Sequence, residues 1–169
     1  EYAEAHNNLA DCLIEQGALD EAYIHLQRAL ELAPDLAEAH GNAGNLLALI
    51  SDWGSSQERY TRATELAPER AENWAGLGNA QEITGKPKDA LASYRRAVEA
   101  DPGHAQATYL LGMVMHKIGE NEKAIELISQ AFAFGYGGAK KYCNLGIIYN
   151  QLGRLEDVVE CQKLSLLHI

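Results

Sequence analysis

Several kinds of residue and pattern are scarce in this sequence, and each scarcity argues against a class of protein. Only three cysteines occur among 169 residues and no two form a C-x-x-C pair, so neither a disulfide scaffold nor a cysteine zinc site is indicated. No apolar run approaches the roughly 20 residues of a membrane-spanning helix, so we expect no membrane insertion. Acidic residues outnumber basic ones and the formal net charge is −10. A nucleic acid is therefore not an expected partner, because its phosphates would be repelled.

Motifs that carry chemistry are also missing. The sequence contains no phosphate-binding G-x-x-x-x-G-K-[ST] loop, no H-E-x-x-H and no G-x-S-x-G. Its six histidines are scattered, without a spacing that would gather metal ligands. We therefore predict no catalytic residue, no metal and no cofactor, and we predict that the chain is not an enzyme. The low thiol content favours a reducing, cytoplasmic location over an oxidising one.

What the sequence does contain is a repeat of 34 residues. Pro34, Pro68 and Pro102 lie 34 positions apart, and each has a glutamate three residues before it. Other residues keep the same interval, namely Ala29, Ala63, Ala97 and Ala131, then Leu26, Tyr60, Tyr94 and Ile128, and then Gly17, Gly85, Gly119 and Gly153. The richness in Ala, Leu and Glu, with little Val, Ile and Thr, favours helices over strands within each interval.

One interval resembles a known repeat almost in full. Its matching residues are Trp74, Leu77, Gly78, Ala90, Tyr94 and Pro102, and they resemble the W-x2-L-G-x2-Y…A-x3-F…P pattern of the tetratricopeptide repeat. The resemblance implies an all-α fold, a right-handed α-solenoid of about five stacked helix–turn–helix units with ten helices. We expect a single array over residues 1–169, with units at 3–36, 37–70, 71–104, 105–138 and 139–169. His6 and His40 share the repeat position of Trp74, so we predict that they pack rather than bind a ligand.

Two places depart from the repeat pattern. Ser51 stands where the other units have a turn glycine, and we expect an irregular turn there. Residues 134–138 read Phe-Gly-Tyr-Gly-Gly and replace a proline junction. This segment fits either a glycine-terminated helix followed by a tight turn or a hinge before the last unit.

The two ends of the sequence suggest that it continues. The chain opens mid-pattern at Glu1 without a methionine, and we expect it to be a piece of a longer protein. The last helix is expected to run from Leu155 to Ile169 and to leave an apolar end without a polar capping helix. Further repeats would cover that end, and self-association through the C-terminal helix is the alternative.

The resemblance also implies where a partner would bind. In this family the first helix of each unit lines a concave groove. Carried over position by position, the predicted partner-binding residues are Asn8, Asp11, Glu38, Asn42, Asn45, Glu72, Asn79, Glu82, Tyr109, Met113, His116, Lys117, Lys140 and Asn144.

Asparagines recur in this set at two repeat positions. Asn8, Asn42 and Asn144 share one position, and Asn45 and Asn79 share another. An amide side chain both donates and accepts, so it can bind the backbone of an extended peptide of any sequence. The arrangement resembles the asparagine ladder in the repeat region of O-linked N-acetylglucosamine transferase. The alternative is that these asparagines cap or bridge neighbouring helices.

The predicted groove changes character along the chain. Acidic residues dominate its first three units, Tyr109 and Met113 make the fourth apolar, and Lys117 and Lys140 follow. A matching ligand would be a basic protein or peptide segment with an apolar anchor. The acidic residues could instead form an ordinary solvated face. A clamp for a C-terminal carboxylate is not indicated, because the cations it requires are missing from the equivalent positions.

These observations predict a non-catalytic protein–protein interaction scaffold that binds a peptide segment in its groove. One alternative is the substrate-recognition region of a larger enzyme, such as a glycosyltransferase, and another is an oligomerisation module.

Overall fold

A computed structural model describes residues 2–167, and within that range the chain is helical with no strand. Its ten helices are α1 (Ala3–Glu15), α2 (Leu19–Leu32), α3 (Ala37–Leu49), α4 (Trp53–Leu66), α5 (Ala71–Ile83), α6 (Pro87–Ala100), α7 (Ala105–Lys117), α8 (Asn121–Ala133), α9 (Ala139–Gln151) and α10 (Leu155–Leu167). The predicted all-α fold of paired helices is confirmed. None of the helices in the described range is both long and apolar enough to cross a membrane.

The helices form two compact units. The N-terminal unit ends at Asp101 and holds α1 to α6, and the C-terminal unit begins at Pro102 and holds α7 to α10. In each unit, successive helices pack as antiparallel pairs joined by short turns, which follows from the three-residue connection within each pair.

Small residues bring the two helices of a pair together. Ala10 of α1 and Ala22 of α2 are completely buried, and Leu26 fills the space beside them. In the second pair Ser56 replaces the alanine, yet it is also fully buried. Its Oγ donates a hydrogen bond of 2.9 Å to the carbonyl oxygen of Gly44, so the hydroxyl causes no unpaired polar burial.

The turn at Ser51 is regular, contrary to expectation. Ser51 has φ 63°, the same left-handed conformation as Gly17 with φ 77°. Its N–H bonds to the carbonyl oxygen of Ala48 at 3.0 Å, and the N–H of Asp52 bonds to that of Leu47 at 2.9 Å. This is the hydrogen-bond pattern that ends helices elsewhere in the chain. Serine therefore adopts the same backbone conformation at this turn as glycine does in the other repeats.

His40 and Trp74 occupy the same position in successive repeats, and each connects its repeat to the preceding one. The imidazole of His40 bonds through Nε2 to the carbonyl oxygen of Pro34 at 2.8 Å, and the indole N–H of Trp74 bonds to that of Pro68 at 2.8 Å. His40 is 7% exposed, and this burial lowers its pKa. The two residues thus tie the start of one helix to the proline that ends the preceding pair.

In the C-terminal unit, the glycine segment ends one helix and starts the next. Gly135 has φ 85° and closes α8, with the N–H of Tyr136 bonded to the carbonyl oxygen of Ala131 at 3.0 Å. Gly138 has φ 133° and is the N-cap of α9. At the end of α10, Leu166 and Leu167 are exposed, whereas the predicted continuation to Ile169 lies outside the described residues.

Candidate functional site

A polar groove crosses the first helices of the N-terminal unit. It has a volume of about 350 Å³ and is called here the N-terminal groove. Six of the predicted binding residues line it, namely Asn8, Asp11, Glu38, Asn42, Asn45 and Glu72. Five further residues complete its wall. Asn7 and Gly41 lie at repeat positions that line the groove in this family, whereas Tyr60, Arg70 and Asn73 were not predicted to lie there.

An amide chain joins α1 and α3 along this groove. The Nδ2 of Asn42 donates to the Oδ1 of Asn7 at 3.0 Å, and the Nδ2 of Asn7 donates to the Oδ1 of Asn8 at 3.4 Å. Asn7 is only 3% exposed, so it forms the floor while Asn8 is exposed above it. Some of the amide hydrogen bonds therefore link α1 to α3, and the Nδ2 of Asn8 remains available to a ligand.

Asn45 is held in place by a buried tyrosine. The phenol of Tyr60 donates a hydrogen bond to the Oδ1 of Asn45, which leaves the Nδ2 of that exposed amide for a ligand. Burial raises the pKa of Tyr60 to about 12, so its hydroxyl keeps its proton at neutral pH and stays a donor. The tyrosine belongs to the repeat position of Tyr94, and its alignment with other core residues concealed its contact with the groove.

Three carboxylates face one guanidinium across the groove. The Nη1 of Arg70 lies 2.7 Å from the Oε1 of Glu38. The structure shows no hydrogen-bond or ionic partner for Asp11 or Glu72 among the described residues, and both are exposed. The lining of the groove therefore has an excess of negative charge.

Asn73 lies on the floor of the groove and has an unmet donor. It is 7% exposed, and its Nδ2 has no hydrogen-bond partner among the described residues. Its Oδ1 lies 2.6 Å from the point that a Cβ on Gly41 would occupy, so glycine at this position leaves room for the amide as it is placed. The sequence contained one sign that Asn73 is unusual, because the equivalent residues of the first, second and fourth repeats are Ala5, Ala39 and Ala107.

Two predicted residues of α5 lie outside this group. Asn79 is partly buried and does not line the N-terminal groove. The carboxylate of Glu82 accepts a hydrogen bond of 3.2 Å from the phenol of Tyr94, which contributes to a pKa of Tyr94 raised mainly by burial. Glu82 is thus engaged inside its own helix pair.

Of the predicted residues in the C-terminal unit, Tyr109 and Asn144 contact each other. Tyr109 is 6% exposed, and its hydroxyl accepts a 2.7 Å hydrogen bond from the Nδ2 of Asn144. Its ring packs against those of Tyr136, with centroids 5.6 Å apart, and Phe132, at 6.4 Å. The chain's own rings thus fill the space in which an apolar anchor was expected to lie.

The remaining predicted residues belong to the same unit. The Nδ1 of His116 bonds to the Oδ1 of Asn121 at 2.7 Å, and Met113 is partly buried. Lys117 and Lys140 are exposed. A cation that was not predicted, Lys141, contacts the cluster, with its Nζ 3.7 Å from the centre of the Tyr136 ring.

A second depression lies in the C-terminal unit. It has a volume of about 460 Å³ between α9 and α10, and its lining includes Ile147, Val158 and Cys161. Two histidines of the N-terminal unit lie close together, with the Nδ1 atoms of His6 and His25 2.7 Å apart. The described residues contain no group of three or more side chains that could hold a metal ion.

Comparisons with known proteins agree on the fold. MamA has 24% sequence identity and a TM-score of 0.82, with 98% of this chain and 91% of that chain covered. YrrB, described as a TPR protein with an unusual peptide-binding site, has 24% identity and a TM-score of 0.77, covering 95% and 83%. PilF of Pseudomonas aeruginosa has 16% identity and a TM-score of 0.89, covering 100% and 77%.

The sequence itself matches family models over most of its length. No curated protein matches the chain. Models described as tetratricopeptide repeat match residues 1–69, 42–103 and 84–137. Together with the paired helices and the 34-residue period, this shows that the chain belongs to the tetratricopeptide repeat family.

Proposed function

We propose that the chain is a non-catalytic interaction scaffold and that its N-terminal groove binds an extended, basic peptide segment. Tetratricopeptide repeat proteins are generally interaction scaffolds, typically without enzymatic activity. The observation that carries the proposal is the lining of the groove, in which exposed carboxylates alternate with amides along three successive first helices.

The carboxylates select the charge of the ligand. The side chains of Asp11 and Glu72 are exposed and make no ion pair with the described residues, so a lysine or arginine would gain a partner without displacing one. Glu38 adds a third carboxylate between them. Such exposed charges act mainly on the association rate and on selectivity, and their effect falls as salt concentration rises.

The amides hold the backbone of the ligand. Asn8 and Asn45 each keep an N–H group for a peptide carbonyl, while their oxygen atoms accept hydrogen bonds from Asn7 and Tyr60. Because these internal bonds fix the orientation of both amides, a ligand would lose little freedom from the groove on binding. This is the role of the ladder in the O-linked N-acetylglucosamine transferase repeats, which the sequence resembles. The peptide-binding site named for YrrB, a protein with the same fold, lends further support.

The apolar anchor and the C-terminal residues belong to a second part of the proposal. Lys117 and Lys140 are exposed and Met113 is partly buried, so these side chains of the C-terminal unit can contact a ligand. The contribution of Tyr109 would be indirect, through the position of Asn144, because Tyr109 itself is buried.

Two other functions stay open as alternatives. The same groove would serve if this array recognised substrates for a larger enzyme such as a glycosyltransferase. Self-association through the C-terminal helix is favoured by the exposure of Leu155, Leu166 and Leu167, which are 65%, 71% and 79% exposed. Light scattering over a range of protein concentrations tests that alternative, and a constant monomer mass would remove it.

The proposal is tested by fluorescence anisotropy with two labelled octapeptides. One alternates arginine with serine, which places all its cations on one side of an extended chain, and the other alternates glutamate with serine. We expect the arginine octapeptide to bind and the glutamate octapeptide not to bind. The double substitution of Asp11→Asn with Glu72→Gln should weaken binding about tenfold, a loss of roughly 1.4 kcal/mol.

A matched control separates the groove from the general acidity of the chain. The pair Glu31→Gln with Glu65→Gln makes the same change in net charge on the second helices α2 and α4. Those carboxylates are paired with Arg28 and Arg62 and do not line the groove. Equal losses from the two double variants would overturn the proposal, because binding would then follow net charge alone.

A further inference from the structure

We infer that Glu38 forms a guanidinium subsite that the chain fills with its own Arg70, and that a ligand arginine takes the place of Arg70 when it binds. The inference rests on the proposed function and specifies it, because it names arginine rather than any cation as the residue read in the N-terminal groove.

The Glu38–Arg70 pair shows that this carboxylate already accepts a guanidinium. Arg70 is the N-cap residue of α5, and its Nη1 reaches 2.7 Å from the Oε1 of Glu38 in the first turn of α3. Both side chains stay about half exposed, at 42% and 48%. An ion pair this exposed contributes little to stability, so another guanidinium can exchange for Arg70 at small cost.

An unpartnered donor lies beside this pair. Asn73 follows Arg70 by one helical turn, and Gly41 follows Glu38 by one turn on the facing helix. The buried amide of Asn73 lies against Gly41, and its Nδ2 has no partner among the described residues. A buried N–H group without an acceptor is uncommon in a folded protein, and it points to an acceptor supplied from outside the chain.

One arginine residue of an extended ligand satisfies both features. Its guanidinium would bind Glu38. The Nδ2 of Asn73 is closed to solvent in the free chain, so this amide would turn into the groove and donate to the main-chain carbonyl of the same arginine. The planar fork of arginine can make two parallel hydrogen bonds to a carboxylate, whereas the ammonium of lysine acts as a point charge. The subsite should therefore prefer arginine over lysine.

Arg70 competes with the ligand because it is tethered beside Glu38 and is always present. Removing its charge should thus strengthen binding, which is the opposite of what a ligand-contacting cation would show. Arg70→Gln is the test variant, and Arg96→Gln is its matched control. Arg96 is in the same unit and pairs with Glu99 at 3.3 Å, and its removal changes the net charge equally without altering the groove.

The experiment measures the affinity of the arginine–serine octapeptide and of matched peptides with lysine or neutral citrulline. We expect Arg70→Gln to tighten binding of the arginine peptide about threefold to tenfold, that of the lysine peptide less, and that of the citrulline peptide not at all. Arg96→Gln should change each affinity less than about twofold. Asn73→Ala, which restores the alanine found at this position in the first, second and fourth repeats, should weaken binding of the arginine peptide.

The effect must also depend on Glu38. In the background of Glu38→Gln the gain from Arg70→Gln should disappear, which a double-mutant cycle measures directly. Circular dichroism confirms that each variant is folded. An equal gain from Arg70→Gln and Arg96→Gln, or a loss on Arg70→Gln, overturns the inference.

The failure of the inference can be told from the failure of the proposed function. One outcome is that the arginine octapeptide binds to the native chain and loses its binding on Asp11→Asn with Glu72→Gln. If Arg70→Gln then weakens its binding, only the subsite is wrong. If the chain binds no basic octapeptide, both the subsite and the proposed function are wrong.

Discussion

The ring of Tyr60 lies so close to the backbone of Gly76 that a Cβ at that glycine would come within 2.4 Å of the ring. The same ring lies 2.9 Å from the Cβ position of Gly44, and its hydroxyl bonds to Asn45 in the N-terminal groove. One tyrosine thus packs between α3 and α5 and orients a groove amide. The packing of the unit and the geometry of the candidate site therefore depend on the same side chain.

We predict that Gly76→Ala destabilises the chain by about 1–3 kcal/mol, because the methyl group overlaps a buried ring that cannot move freely. The free energy of unfolding in urea measures this loss. Gly54→Ala is the control, since the nearest atom to its Cβ position is a carboxylate oxygen 3.9 Å away. Alanine favours a helix over glycine, so the control should be neutral or more stable by up to about 1 kcal/mol. A Gly76 variant as stable as the Gly54 variant would contradict the packing described.

Tyr60 should also make stability depend on pH at the alkaline end. Burial raises its pKa to about 12 from 10, so the folded state favours the neutral phenol. A raised pKa contributes stability that is fully present below pH 10 and is lost as pH rises through 12. This difference corresponds to roughly 2–3 kcal/mol.

The variant Tyr60→Phe isolates this contribution. It should lose about 1 kcal/mol at pH 8 through the missing hydrogen bond, and should lose less than the native chain between pH 8 and pH 12. Unfolding in urea at the two pH values measures the comparison. Equal losses over this interval in both proteins would show that Tyr60 ionises as easily in the folded chain as in the unfolded one.

Ser51 is expected to carry a small backbone cost. It is the one residue other than glycine with a positive φ in the described range, at 63°. Ser51→Gly should therefore stabilise the chain by up to about 1 kcal/mol. The gain is limited because glycine increases the conformational entropy of the unfolded state. The midpoint of urea unfolding reports the change. The reverse exchange, Gly17→Ser at the equivalent turn, should lower stability, and a gain there would refute the explanation.

The repeat could be predicted from the sequence because its signals are local. Prolines and glycines mark where helices end, and the 34-residue interval transfers the assignment from the clear unit around Trp74 to the others. The turn at Ser51 was mispredicted for the same reason. A propensity rule favours glycine at that position, but the surrounding hydrogen bonds impose the conformation on serine as well.

The groove could be predicted only in part, since its details depend on contacts between successive repeats. Repeat positions placed Asn42 and Asn8 in the wall, but not the bond from Asn42 to Asn7, which forms because α1 and α3 lie side by side. Arg70 was missed because it precedes the helix that was scanned for groove residues. The burial of Tyr109 follows from Phe132 and Tyr136, and no periodic pattern announces their approach.

The most direct test of the account is to observe which side chains the basic ligand reaches. In a ¹⁵N-labelled chain, the side-chain amide signals of asparagine can be followed by NMR while the arginine–serine octapeptide is added. The account predicts saturable shifts of the Nδ2 signals of Asn8, Asn45 and Asn73, with little change at Asn121 in the C-terminal unit. If these three signals do not move, or if only signals of the C-terminal unit move, the claim that the N-terminal groove is the peptide site is contradicted.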